Sequence, residues 1–184
     1  MSLDYLDIVS LMHPHSLSNE ELQQLIHEIL ENELNRYSAC AALISHGDRV
    51  RHEICKLLQS DNDNIVLAML EAFDSPDIER ADRYRWDISV VKQVESCLKS
   101  ANNNVRSRAM VLLANITHNP EQYAHYLCDL ASVEPKMKYV CMAALSYITP
   151  VPSSCKNKLD KLLIQYADDN DFRETVMNRL SEIA

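Results

Sequence analysis

Two His-x-x-Cys pairs, His52/Cys55 and His125/Cys128, are spacings that could begin a metal site. Residues three apart on a helix share a face, so each pair could offer an imidazole and a thiolate together. Zinc needs about four such ligands converging in a tetrahedron. About seventy residues separate the pairs, and His13-Pro14-His15 brings no third ligand, so neither metal nor cofactor is expected. Enzymatic motifs are equally sparse. Gly47 is the single glycine, which leaves no glycine-rich phosphate loop, and there is no nucleophile elbow or His-Glu-x-x-His sequence. The adjacent carboxylates Glu20-Glu21 and Asp168-Asp169 stand where turns and helix starts account for them. The expectation is a non-catalytic protein.

A second constellation suits recognition better. Between Asp74 and Asp87 the chain carries Arg80, Arg83, Tyr84, Arg85 and its only tryptophan, Trp86. Arg, Tyr and Trp dominate interface energetics because they join large contact area to directed polar or cation–π contacts. These five residues are the expected partner-binding set. The same pattern also allows Trp86 to pack in the core while the arginines pair with neighbouring acids.

The elements that would carry these residues are set out by a recurring phrase. It starts at Asn35, Ile65, Val105, Met137 and Phe172. Four places on stand Ala39, Met69, Ala109, Cys141 and Val176; eight places on stand Leu43, Phe73, Leu113, Leu145 and Leu180. Positions 0, 4 and 8 form the inner stripe of an amphipathic helix, and small residues at 4 let neighbouring helices approach. Polar runs such as Ser60–Asn64, Asn102–Asn104 and Asp168–Asp171 precede the copies and supply N-caps. Between copies lies a second amphipathic segment each time. Gly47 can close one helix and Asp48 cap the next; Ser18-Asn19-Glu20-Glu21 is a capping box, and Pro120 suits a first turn.

A period of thirty to forty residues marks a solenoid, whose repeats bury their apolar faces against one another. The expected fold is all-α: an α-α superhelix of about five helical-hairpin repeats, with some ten or eleven helices. One domain over 1–184 is expected, with a helical cap at 1–33, stacked repeats at 34–169 and a capping helix at 170–184. The interval between the second and third copies is the longest, and its surplus holds the Arg/Trp segment.

Composition bounds the function. Residues 1–100 hold 18 acidic against 9 basic side chains, while residues 101–184 hold 9 of each. An acidic surface repels phosphate backbones, so nucleic acid is disfavoured and a basic protein or peptide partner fits better. No apolar run approaches the ~18 residues of a membrane span, and the acidic start argues against a secretory signal. The six cysteines are scattered through helical patterns without a CxxC pair, as expected of reduced thiols in a cytoplasmic protein. The polar outer side of the last copy favours a monomer over a homodimer.

The phrase Asn103-Asn104-Val105-Arg106-Ser107-Arg108-Ala109-Met110-Val111-Leu112-Leu113 resembles the HEAT-like (armadillo-type) helical repeat. The fourth copy, through Lys138, Cys141 and Leu145, matches it too; the second has Val66 at the basic position, and the first opens on Asn35. The resemblance spans roughly residues 32–184. It implies that Arg36, Arg106, Lys138 and Arg173 pair with acidic turn residues of adjacent repeats. It also implies three classes of role. The first is a protein-interaction module or adaptor working through the solenoid surface. A DNA-binding protein or DNA glycosylase relative would need a basic groove, and a chromophore lyase subunit would need a pigment pocket.

Overall fold

Short polar side chains open six of the described helices, and buried stripes hold them. The computed structural model describes residues 3–12, 17–74 and 86–183. Among these residues the chain forms eleven α-helices. They are α1 (Tyr5–Ser10), α2 (Asn19–Glu31), α3 (Arg36–Ser45), α4 (Arg51–Leu58), α5 (Asp63–Ala72) and α6 (Ile88–Cys97). Then follow α7 (Asn103–Ile116), α8 (Pro120–Val133), α9 (Lys138–Leu145), α10 (Lys156–Gln165) and α11 (Asn170–Ser181). There is no named strand among the described residues. One isolated bridge, Val151 to Ile183, ties the loop before α10 to the chain's last residues.

The caps follow from residue chemistry. Ser18 and Glu21 satisfy each other's backbone amides at the start of α2, and Asp4 and Asp7 do the same for α1. Asn62, Asp87, Asn119 and Asp169 cap α5, α6, α8 and α11 through their side-chain oxygens. Gly47 has φ of +60°, the left-handed region that glycine tolerates best. Asp48 does not cap α4 as expected. It lies within a 3-10 turn, Gly47–Val50, which leads into the helix instead.

The chain divides into two compact units, Met1–Ala109 and Met110–Ala184, with the boundary inside α7. In the first unit α3 packs on α1, α2 and α5, while α4 packs on α5 and α6. In the second, α8 packs on α9 and α10, and α11 on α9 and α10. Each unit therefore sets phrase helices against phrase helices (α3 on α5, α9 on α11) and intervening helices against each other (α4 on α6, α8 on α10). The stripe explains this pairing. Ala39, Met69, Ala109, Cys141 and Val176 have no exposed area, and Ile65, Val105, Met137 and Phe172 are buried one turn earlier.

The cysteines lie mostly inside the fold. Cys40, Cys97, Cys128, Cys141 and Cys155 are buried, and Cys55 is half-buried. Burial pushes the Cys40 thiol up to about 12 and Cys97 to about 11, and it raises Cys128 and Cys155 as well. Thiolate, not thiol, is the reactive form. Native protein mixed with a disulfide reagent at pH 8 should therefore release one fast equivalent, from Cys55, and the remaining five only on denaturation. More than one fast equivalent would contradict the packing described.

Candidate functional site

Of the expected partner-binding set, Trp86 alone lies among the described residues. Trp86 is only 4% exposed, and its ring meets Phe73 edge-on, with centroids 4.8 Å apart. Phe73 is the eighth-place residue of the second phrase, so Trp86 takes the core role that the sequence also allows. Asp87, next to it, caps α6 by accepting the Ser89 amide at 2.8 Å and meets Arg51 at 3.4 Å. Arg80, Arg83, Tyr84 and Arg85 lie outside the described residues.

The phrase's basic residues perform two structural tasks. Lys138 forms an ion pair with Asp169 in the turn before the next copy, as the repeat resemblance implies. Its ammonium also lies 4.3 Å from the Tyr166 ring centroid, 4.9 Å from Phe172 and 5.3 Å from Tyr139, within cation–π range of all three. Tyr139 donates its hydroxyl to Asp169 at 2.9 Å, and the Phe172 amide donates to the same carboxylate oxygen at 3.0 Å. Arg36 reaches back to the last turn of α2 and also meets Glu33 at 3.9 Å, whereas Arg173 reaches back to the turn after α10. The Arg36 Nε donates to the Ile29 carbonyl at 2.8 Å, and Arg173 to Ala167 at 3.4 Å. Carbonyls at a helix C-terminus lack intrahelical donors and carry partial negative charge, so a guanidinium there supplies both donor and countercharge.

Asp169 is thereby held below the usual carboxylate range, first by the hydrogen bond from Lys138 and then by the Phe172 amide. A carboxylate whose native pKa is depressed stabilises the fold above its unfolded pKa, and that contribution disappears as pH falls through the native value. Thermal melts from neutral pH downward should show this. The wild type should lose more stability than Asp169→Asn, which keeps a capping oxygen without the charge, once pH drops below about 4. Parallel losses would remove Asp169 from the account.

The pair His125/Cys128 comes closest to catalytic chemistry. The Ser154 hydroxyl donates to Glu121 at 2.8 Å, so the His125 Nε2, 3.0 Å from Ser154 Oγ, must itself donate. A hydrolytic triad needs the opposite order, with the imidazole accepting the serine proton and the acid holding the imidazole. Here the trio joins α8 to the 3-10 turn Ser153–Cys155. The zip continues along α8 and α10: Lys158 donates to Asp129 at 2.6 Å, Ser132 and Gln165 exchange two bonds of 2.8 Å, and Tyr166 donates to the Ala131 carbonyl. His52, exposed, and Cys55 belong to the other unit. No group of three or more His, Cys, Asp or Glu is placed to hold a metal among the described residues.

Among the exposed large apolar residues, five stand close in sequence to one junction. Glu28, buried at the end of α2, accepts the Leu3 amide at 2.8 Å and the Asn32 side-chain amide at 2.8 Å. Asn35 donates to the Leu3 carbonyl at 2.9 Å. This network clasps the start of α1 to the turn between α2 and α3. Tyr5, Leu6, Leu30, Leu34 and Tyr37 all lie within three residues of it, and all are exposed: Leu34 at 95%, Leu6 at 74%. Residues 1–33 read as a helical cap in the sequence, and its periodicity does not mark these five as a surface. The available signal was Leu34, an apolar residue inside the polar turn Glu33-Leu34-Asn35.

No family model, curated protein or solved structure matches this chain. No helix among the described residues is long and apolar enough to cross a membrane.

Proposed function

We propose that this protein is a non-catalytic interaction module, a HEAT-like solenoid whose surface holds a protein or peptide partner. One observation carries the reading: five large apolar side chains stand exposed within three residues of the clasp at the α1–α2–α3 junction, while polar groups such as Ser154, Glu121 and Lys158 join helix to helix. A surface leucine or tyrosine alone is ordinary, but grouped exposed apolar residues mark interaction sites. The pairing of phrase helices with phrase helices within each unit supports the solenoid. In that arrangement Lys138–Asp169, Arg108–Asp74 at 2.9 Å and Asn102–Asp63 at 3.0 Å link successive repeats.

Affinity capture from native lysate tests this reading. Tagged protein should retain a partner that saturates and is displaced by untagged protein. Failure to retain any saturable partner, together with an intrinsic activity of the purified protein, would overturn it.

A further inference from the structure

The apolar junction sits in a one-sided electrostatic setting. Residues 1–35 contain seven acidic side chains and no lysine or arginine. Asp4, Asp7, Glu31 and Glu33 are exposed around Tyr5, Leu6, Leu30, Leu34 and Tyr37. The first Lys or Arg of the chain, Arg36, reaches only one of them, Glu33. It is buried, and its guanidinium is engaged by the Ile29 and Leu30 carbonyls and by Glu33 at 3.9 Å. The edge therefore combines desolvatable apolar area with a net negative charge, carried by Asp4, Asp7 and Glu31.

That combination selects among occupants. A second copy docked about a two-fold axis would set the same carboxylates opposite themselves. An anionic bilayer or a phosphate backbone would be repelled in the same way. Apolar side chains flanked by Lys and Arg satisfy both halves of the surface. An amphipathic helix supplies them compactly, with anchors at i, i+3, i+4 and i+7 and cations along the rim.

Resting on the interaction-module reading, we infer that the α1–α2–α3 edge is the docking surface for a basic amphipathic helix of a partner protein. Leu34 and Leu6 are its apolar anchors. Asp4, Asp7, Glu31 and Glu33 speed encounter and choose the charge sign of the partner. Tyr5 and Tyr37 widen the contact with rigid rings that lose little conformational freedom on binding.

A labelled peptide of about 18 residues, built from Leu and Lys with every Leu on one helical face, is the probe. Fluorescence anisotropy with the full chain should show saturable binding that weakens as salt is raised. The same composition in scrambled order should bind at least about tenfold more weakly, as should wild-type peptide to Leu6→Asp/Leu34→Asp. Both sites are exposed, so circular dichroism of that variant should match wild type. Glu31→Lys, which alters charge and leaves the apolar anchors, should also weaken binding. Ile164→Asp, on an exposed apolar residue of α10, should not.

Equal affinity for the scrambled peptide, or an equal loss with Ile164→Asp, would overturn the assignment. So would indifference to both Glu31→Lys and salt, or binding to phosphatidylcholine vesicles that the edge variant abolishes. If the peptide fails to bind while saturable capture from lysate persists, this docking chemistry falls and the interaction module stands. If capture fails too, the underlying reading falls with it.

Discussion

Phe172→Ala should lower the unfolding free energy by about 3–5 kcal/mol, the range for deleting a fully buried aromatic side chain. Phe172 has no exposed area and is one of two buried residues in α11, with Val176. Tyr139 and Tyr166 meet its ring edge-on at 5.4 and 4.9 Å, and Lys138 lies over its face. Truncation opens a cavity and also removes a wall of the box around the Lys138 ammonium. The surrounding helices cannot close the gap without breaking the Asp169 contacts that set the entry of α11. Phe172→Leu keeps most of the volume and should cost less than half as much. Denaturant unfolding followed by far-ultraviolet circular dichroism measures both. A loss below about 1 kcal/mol for the alanine variant would show that α11 is not anchored as described.

Glu28→Ala should cost about 2–4 kcal/mol, because hydrogen bonds to a charged acceptor are worth about 1.5–3 kcal/mol each. Two are short, from the Leu3 amide and from Asn32, both at 2.8 Å, and Asn35 adds a longer one at 3.4 Å. The consequence extends beyond stability. Leu3 is held by this carboxylate and by Asn35, so its loss frees the start of α1 from the α2–α3 turn and disperses the exposed apolar edge. Glu28→Gln retains one carbonyl acceptor and should lose roughly half as much. Trp86 is the only tryptophan and belongs to the same unit, so its fluorescence can follow unfolding there. Hydrogen exchange at the α1 amides should accelerate in Glu28→Ala while those of α11 remain protected. Uniform acceleration across the chain would contradict a local clasp.

The sequence made the helices legible because burial and capping act over a few residues. Every residue four places into the phrase, from Ala39 to Val176, is fully buried. Eight places in, Leu43, Phe73, Leu113 and Leu145 are buried, whereas Leu180 in the last copy is only partly covered. Periodicity could not say what each basic residue would do. Lys138 and Arg173 hold the same phrase position, yet one pairs with an acid of the next turn and the other with a carbonyl behind it. The difference depends on which group the fold brings nearest.

The site was less legible for the same reason. Trp86 advertised an interface through its residue type, and Phe73 drew it into the core. The exposed edge depends on long-range joins, Leu3 to Glu28 and Leu3 to Asn35, separated by 25 and 32 residues. No local pattern encodes them. Glu28 itself sat in an amphipathic helix as one acid among several, and its burial follows from what the other segments donate to it.

Site-directed photocrosslinking tests most directly whether the protein works through this edge. Leu34→benzoylphenylalanine, expressed in native cells, should yield one saturable protein adduct whose crosslinked segment is basic and amphipathic. The Leu–Lys helical peptide should compete it away, and its scrambled form should not. The same photoreactive residue at Gln23, also exposed on α2, should not give that adduct. Equal labelling from both positions, or an adduct indifferent to the helical peptide, would contradict the account.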